Sequence, residues 1–305
     1  MTGAHAPPAS AADTVSVRLP QGRSVVGPAT AKADIQYLHG EIFGQHCYER
    51  HGIRLADSRV VVDVGANVGL FALRVLELAP AATIYCFEPA PPTHACLVQN
   101  LAAHPRVEIF QAALGSGNEP LRIAYYPRTP GNSTLYPDAK PREAAQFAEH
   151  ATLAQVWELS KLSCIGLALL YPLRRRLFHA AFSRVLRGEH SYPCTCMTLD
   201  QLFELRGLEQ VDLLKVDVEG AERDVFEGLS DANLQRVRQL VVEISPAHKR
   251  WLEAFERRLR RAGFDNITLE SLVADGEPRS DVFPCSMYAT HAFAAARGSH
   301  VMEPR

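Results

Sequence analysis

The chain has 305 residues, 47% of them apolar and 22% charged, which is material for one large core. A formal net charge of -2 argues against a general nucleic-acid binder, which needs a broad basic face. The seven cysteines are odd in number and irregular in spacing, so they read as reduced thiols in a cytoplasmic protein rather than a disulfide framework.

In chain order, "MTGAHAPPASAADT" lacks the basic and apolar regions of a signal peptide, and residues 1–13 read as a disordered leader. "TVSVRLP" alternates as a strand does, and "ADIQYLHGEIFGQHCYERHGI" sets Ile35, Leu38, Ile42 and Phe43 at amphipathic helical spacing. Residues 14–58 are therefore expected as an N-terminal strand and helical cap. Residues 60–64, "VVVDV", have the pattern of a central parallel strand buried on both faces. Leu70, Leu73, Leu76 and Leu78 give the next helix its packing face, and Pro80 follows its end. "TIYCFEP" is a second strand, "PPTHACLVQNLAAH" a helix opened by prolines, and "RVEIFQAALG" a third strand. "LRIAYYP" reads as an extra strand. This β-α-β-α-β order predicts a parallel sheet with helices on both faces, its first half spanning 59–137.

The alternation breaks over 138–193, a segment of helical composition too long for a plain connection. Its apolar run "LSCIGLALLY" is too short to span a bilayer and abuts Arg174, Arg175 and Arg176. A lid over a large acceptor is the favoured reading; a homodimer contact and a membrane-interfacial helix pair are the alternatives. The second half of the core, 194–293, resumes with "TLDQLFELRG" as a helix capped near Thr198 or Asp200. Then come the strand "VDLLKVDVEG", the helix "AERDVFEGL", the strand "QLVVEIS" and a helix ended by Gly263. "FDNITLE" and "PCSMYATHA" finish as strands, and 294–305 reads as a flexible tail. The expectation is six or seven strands in one sheet, with the insertion between the third and fourth.

Three motifs carry chemistry. Gly65-Ala66-Asn67-Val68-Gly69 is G-x-x-x-G: the middle glycine of a dinucleotide loop is replaced by Asn67, and no Gly-Lys-Ser/Thr follows. Such a loop suits a nucleoside without a diphosphate. Glu88 ends the next strand about 20 residues on, where a carboxylate accepts both hydroxyls of a ribose. In "LLKVDVEGAE", Lys215, Asp217 and Glu219 alternate on a strand that is otherwise apolar, a costly arrangement without a job. A structural salt bridge from Lys215 is the plain alternative. "VVEIS" ends in Glu243, with His248 on the loop beyond, and histidine is the usual proton acceptor near neutral pH. Asp217 and Glu243 are also hard oxygen donors that suit magnesium. His190, Cys194 and Cys196 in "HSYPCTC" lack the second pair that a zinc site needs.

Together "VVVDVGANVGLFAL", "IYCFEPAPPTHACLVQNL", "TLDQLF" and "DLLKVDVEGAERDVFEGL" resemble the FkbM-type family of S-adenosylmethionine-dependent methyltransferases, from about residue 34 to 270. The resemblance implies a class I methyltransferase fold, an α/β Rossmann-like, seven-stranded and mostly parallel sheet. It also implies O-methylation of a hydroxyl on a natural product or a sugar, a small-molecule acceptor. By the same resemblance Asp63, Gly65, Asn67 and Gly69 border the methionine part of S-adenosylmethionine, and Glu88, with Pro89 beside it, holds the ribose. Ala113 and Leu114 would lie by the adenine, and Ser133 in "GNSTL" would approach the cofactor. An alcohol needs help to lose its proton, so Asp217, His248 and Lys215 are the catalytic candidates, with Tyr48, Glu219 and Glu243 towards the acceptor. An N-methyltransferase and an inactive nucleoside-binding scaffold are the alternatives.

Overall fold

The computed structural model describes residues 14–142, 186–271 and 285–291, together with residues 145, 176 and 184. The leader, the tail and most of the expected helical insertion lie outside the described residues. β1 (Thr14–Arg18) and β2 (Ser24–Pro28) form an antiparallel hairpin, and α1 (Lys32–His39) runs directly into a π-helical turn, Gly40–Gly44. β3 (Val60–Val64), α2 (Leu70–Leu78), β4 (Thr83–Phe87), α3 (Pro91–Leu101) and β5 (Val107–Phe110) then alternate. β6 (Ala112–Leu114), β7 (Leu121–Tyr125) and β8 (His190–Met197) follow. The second half comprises α4 (Leu199–Arg206), β9 (Leu213–Val216), α5 (Glu222–Glu227), α6 (Asp231–Leu234), β10 (Gln239–Ile244), α7 (Lys249–Arg261), β11 (Asn266–Ser271) and β12 (Cys285–Thr290).

Seven strands form one sheet in the order β11-β12-β10-β9-β3-β4-β5. β12 runs antiparallel to both its neighbours, and the pairings from β10 through β5 are parallel. The large sheet starts at β3, winds outward through β4 and β5, then returns to β9 on the other side. The topological switch point therefore lies between β3 and β9, where open α/β sheets bind ligands. This is the Rossmann-like, seven-stranded sheet that the sequence predicts.

The valines of β3 are buried on both faces. Val62 and Val64 pack with Leu202, Phe226 and Phe255 on one side, and Val61 packs with Phe71, Leu97 and Ile35 on the other. Each such side chain contributes about 1.5–3 kcal/mol relative to exposure. Thr198 is the N-cap of α4, in a reciprocal capping box with Gln201. Asp200 instead accepts from Ser230 N at 2.9 Å and so ties α4 to the start of α6. Asn100 on α3 donates to Val26 O and Val68 O, both at 2.8 Å, which clamps the N-terminal hairpin to the turn after β3.

Two expectations are corrected. "RVEIFQAALG" is not one strand: it divides at Gln111, with β5 in the large sheet and β6 in a separate three-stranded sheet of order β6-β8-β7. β8 itself was unforeseen, because Pro193 reads as a strand breaker. β6 pairs only with Thr195–Met197, so the missing N–H of Pro193 costs no bond on that side. His190–Pro193 thus belong to a strand that crosses the boundary drawn at 193.

Gly65 closes β3 with φ +80°, and a Cβ there would lie 1.8 Å from the carbonyl oxygen of Asp217. Gly65 N and Ala66 N both donate to Phe87 O, and Asp217 N donates to Val64 O, so neither backbone can retreat freely. Gly65→Ala is expected to cost more than about 1 kcal/mol of stability. Urea unfolding checks this; an unchanged midpoint would show that the two backbones separate easily.

Candidate active site

The turn after β3 is made by three left-handed residues, Gly65 (φ +80°), Asn67 (φ +49°) and Gly69 (φ +93°). Asparagine tolerates that conformation, and its Oδ1 accepts from Val68 N at 2.7 Å. A Cβ on Gly69 would meet Leu97 Cδ1 at 2.9 Å, so this glycine lets α3 pack against the turn.

Glu88 follows β4 and is buried. Its Oε2 accepts from Asn67 N at 3.0 Å and its Oε1 from Ala90 N at 2.9 Å. Burial pushes its pKa up to about 7, against the pull of those two N–H groups. Each carboxylate oxygen keeps a further lone pair for another donor.

Asp63 on β3 stands in register with Lys215 on β9. Lys215 Nζ lies 3.1 Å from Asp63 Oδ1 and 3.7 Å from Asp217 Oδ2, and it donates to Gly65 O at 2.7 Å. Asp63 is 0% and Lys215 3% exposed. Burial opposes the ammonium charge, yet Asp63, Asp217 and Glu243 raise the lysine pKa above its ordinary value. Tyr48 donates its O–H to Asp217 Oδ2 at 2.9 Å, with its ring edge-on to Phe71. Burial and the nearby Asp217 raise the phenol pKa, so Tyr48 stays a donor.

These groups border a cavity of about 240 Å³ at the switch point. Asn67, Glu88, Pro89, Ala113, Leu114 and Ser133 line it from the β3–β7 half, and Gly65 contributes backbone. Lys215, Asp217, Glu219 and Glu243 line it from the β9–β10 half, with Tyr48 from the N-terminal cap. Three sequence candidates lie outside this lining. Asp63 sits beneath the loop, paired with Lys215. Gly69 faces α3. His248 is carried by a 3-10 turn, Pro246–His248, to within 3.2 Å of the buried Glu222 Oε2, with its ring edge-on to Trp251. Its expected place at the acceptor is therefore corrected. Lys215 lines the cavity, but its charge is spent on the salt bridge and on Gly65 O, as the plain alternative had it.

Among the described residues, no group of three or more His, Cys, Asp or Glu side chains is arranged to hold a metal ion. Asp217 is already engaged by Tyr48 and Lys215. Both contacts are to Oδ2, so Asp217 and Glu243 stay a two-carboxylate pair without the support of a larger ligand cluster among the described residues. Cys194 is buried and Cys196 half-buried, packed with Ala113 and Tyr125 in a small apolar cluster.

Other lining residues escaped the sequence reading. Asp34, Tyr37, Leu38 and Glu41 share one face of α1 and its π-helical extension, at i, i+3, i+4 and i+7. Asp34 accepts from Gly131 N and Thr129 Oγ1, both at 3.2 Å, and so ties α1 to the loop after β7. Thr134 Oγ1 donates to Glu219 O at 2.7 Å, and the buried Lys140 lies 2.6 Å from Glu219 Oε2. The signal was present: the helical spacing of Asp34, Tyr37 and Glu41 reads as a solvated face unless a cavity is known to lie there.

The residues present fit a nucleoside-bearing sulfonium cofactor. Glu88 has free lone pairs for two ribose hydroxyls, and Ala113 and Leu114 offer an apolar wall with no carboxylate.

A family model described as "Methyltransferase FkbM domain" matches residues 63–265. The chain is 33% identical over 231 residues to the 31-O-demethyl-FK506 methyltransferase FkbM of Streptomyces tacrolimicus, covering 75% of this chain and 81% of that protein. It is 37% identical over 218 residues to methyltransferase sdnD of Sordaria araneosa, covering 70% and 76%. It is also 35% identical over 274 residues to the AMB antimetabolite synthetase AmbE of Pseudomonas aeruginosa, where 88% of this chain spans only 12% of that much longer protein. Among solved structures, M. jannaschii TYW2 in complex with AdoMet is similar at 11% identity and a TM-score of 0.40, covering 91% of this chain and 85% of that one. The chain belongs to the FkbM family of methyltransferases and is a methyltransferase.

Proposed function

We propose that the chain methylates a hydroxyl of a small natural-product or sugar acceptor, using S-adenosylmethionine. The observation that carries this reading is Glu88: a buried carboxylate, aimed by two backbone N–H groups, beside a glycine turn that lacks the dinucleotide glycine. When bound, S-adenosylmethionine supplies an activated methyl group on a sulfonium sulfur.

The rest is the work of this chain's residues. Glu88 accepts the ribose hydroxyls, while Ala113 and Leu114 pack against the adenine. Lys215 holds Gly65 O and thereby fixes the turn that borders the methionine part. Asp217, held by Tyr48, orients the acceptor hydroxyl. Alignment of this kind lowers a barrier by roughly 7–11 kcal/mol in favourable cases. An oxygen acceptor is favoured because the site places carboxylates, the groups an alcohol needs to lose its proton, at the ends of β9 and β10. The relative named a 31-O-demethyl-FK506 methyltransferase supports the same choice.

Two outcomes are expected. Ribose hydroxyls prefer the ionised carboxylate, and Glu88 is half-protonated near pH 7. S-adenosylhomocysteine should therefore bind more tightly as pH rises from about 6 to about 8, releasing protons as it binds. Calorimetry in buffers of different ionisation enthalpy checks this, and Glu88→Gln should weaken binding and remove its pH dependence. No binding to the wild type would sink the proposal. The second concerns the product: mass and NMR analysis should locate the new methyl on oxygen, with turnover unaffected by EDTA. A methyl on nitrogen would establish the amine-acceptor alternative, and magnesium-restored activity would overturn the metal-free reading.

A further inference from the structure

With His248 turned towards Glu222, the acceptor's proton must go elsewhere, and the cavity's other groups narrow the choice. Lys215 is charged and committed to Asp63 and Gly65 O. The phenol of Tyr48 donates to Asp217. Glu88 holds two backbone N–H groups, and Asp34 holds Gly131 N and Thr129 Oγ1. Glu219 is paired with Lys140, and Glu41 accepts from Tyr37 at 2.8 Å.

Glu243 differs. It is the penultimate residue of β10, half-buried, and lines the same cavity. Val242 pairs with Val216, so the next residues along the two parallel strands, Glu243 and Asp217, lie level. Adjacent strands are about 4.8 Å apart. On its other side Glu243 is in register with Ser286 of β12, which also lines the cavity. Among the described residues its carboxyl has no hydrogen-bond or ion-pair partner.

We propose that Glu243 is the general base, taking the proton of the acceptor hydroxyl that Asp217, held by Tyr48 and Lys215, orients towards the methyl group. This rests on the methyl-transfer reading. The acceptor O–H bond breaks as its oxygen bonds to the methyl carbon. The carbon–sulfur electron pair stays on sulfur, which becomes neutral. The proton ends on the Glu243 carboxylate and is lost to solvent before the next turnover. No further reactant is needed.

The surroundings suit that role. The charges of Glu41 from the N-terminal cap, Asp217 and Glu219 beyond the end of β9, and Glu222 from α5 all act on Glu243. Cys47, Tyr48 and Lys215 also feel its charge. Lys215 is the one cation in this set. Burial, and then the neighbouring carboxylates, push the Glu243 pKa well above the ordinary carboxylate value, towards the range where a general base works best. Its ionised form is the active one, so turnover should rise with pH through that raised pKa and then level off.

The test compares wild type, Glu243→Gln, Glu243→Asp and Asp217→Asn, with cyclohexanol and 4-nitrophenol as surrogate acceptors. An aliphatic alcohol needs a base; 4-nitrophenol ionises by itself. Glu243→Gln should lower kcat for cyclohexanol at least about 100-fold, and far less for 4-nitrophenol. Its S-adenosylhomocysteine affinity should be unchanged and its pH limb absent. Glu243→Asp should restore part of the rate, with a shifted limb. Asp217→Asn should raise the KM for the acceptor and keep the limb. Infrared titration of the protein without any acceptor gives a second readout. It should show protonated-carboxyl absorbance persisting above the ordinary carboxylate range, part of it from Glu88, and Glu243→Gln should remove a distinct component that Glu88→Gln leaves in place. A Glu243→Gln enzyme with wild-type kcat and limb, or with protonated-carboxyl absorbance identical to the wild type, overturns the assignment. Failure of the wild type to bind S-adenosylhomocysteine would instead strike the methyl-transfer reading itself.

Discussion

Lys215 and Asp63 face each other between β3 and β9 at the centre of the sheet, 3.1 Å apart and almost wholly buried. Removing two charges from water is expensive, and such a pair seldom stabilises a fold more than well-packed apolar residues would. Its position explains it better than its energy does. The same ammonium donates to Gly65 O and lies 3.7 Å from Asp217. One side chain thus sets the turn after β3 and the end of β9 with respect to each other. Gly65 completes the constraint, since any side chain there would collide with the Asp217 carbonyl. The β3–β7 half and the β9–β10 half of the cavity are two faces of one joint.

That joint also divides the carboxylates. Asp217 is tied on one oxygen to Tyr48 and sits near the lysine, whereas Glu243, level with it on the next strand, feels other carboxylates and has no donor among the described residues. Neighbouring acids held in unlike surroundings are a common way for a site to separate an orienting group from a proton-transferring one. The difference follows from strand order: β9 lies against β3 and its buried aspartate, and β10 is one strand further out.

Much of this was legible in the sequence where the signal is local. The valine run of β3, the helix stop at Gly263 and the cap at Thr198 depend on residues a few positions apart, and so do the glycine turn and Glu88. What failed depends on contacts that are distant in sequence. β8 contains Pro193 and is a strand because β6 and β7 flank it. His248 follows Glu243 closely, but a 3-10 turn sends its ring to α5 rather than to the cavity. Gly69 looked like a ligand glycine and serves the packing of α3. The polar stripe of Asp34, Tyr37 and Glu41 has the spacing of an ordinary solvated helix face, and only the return of the loop after β7 makes it a wall.

The lining residues are not confined to the part of the chain that the family match covers. The family match runs over 63–265 and contains Asn67, Glu88, Ala113 and Leu114, together with Lys215, Asp217 and Glu243. Asp34, Tyr37, Leu38, Glu41 and Tyr48 precede that range, and Ser286 follows it, yet all line the same cavity. The N-terminal cap contributes this wall through α1 and the π-helical turn after it, a kind of irregularity that often marks functional sites. It is held by hydrogen bonds, from Thr129 and Gly131 to Asp34 and from Tyr48 to Asp217, rather than by sheet pairing. The wall also reaches the buried joint, since the Tyr48 ring lies 5.6 Å from Lys215 Nζ and Ile35 packs in the same cluster as Val61 of β3. Residues inside the family match and cap residues outside it thus meet in one cavity, the first carried by the sheet and the second by α1 and its π-helical turn.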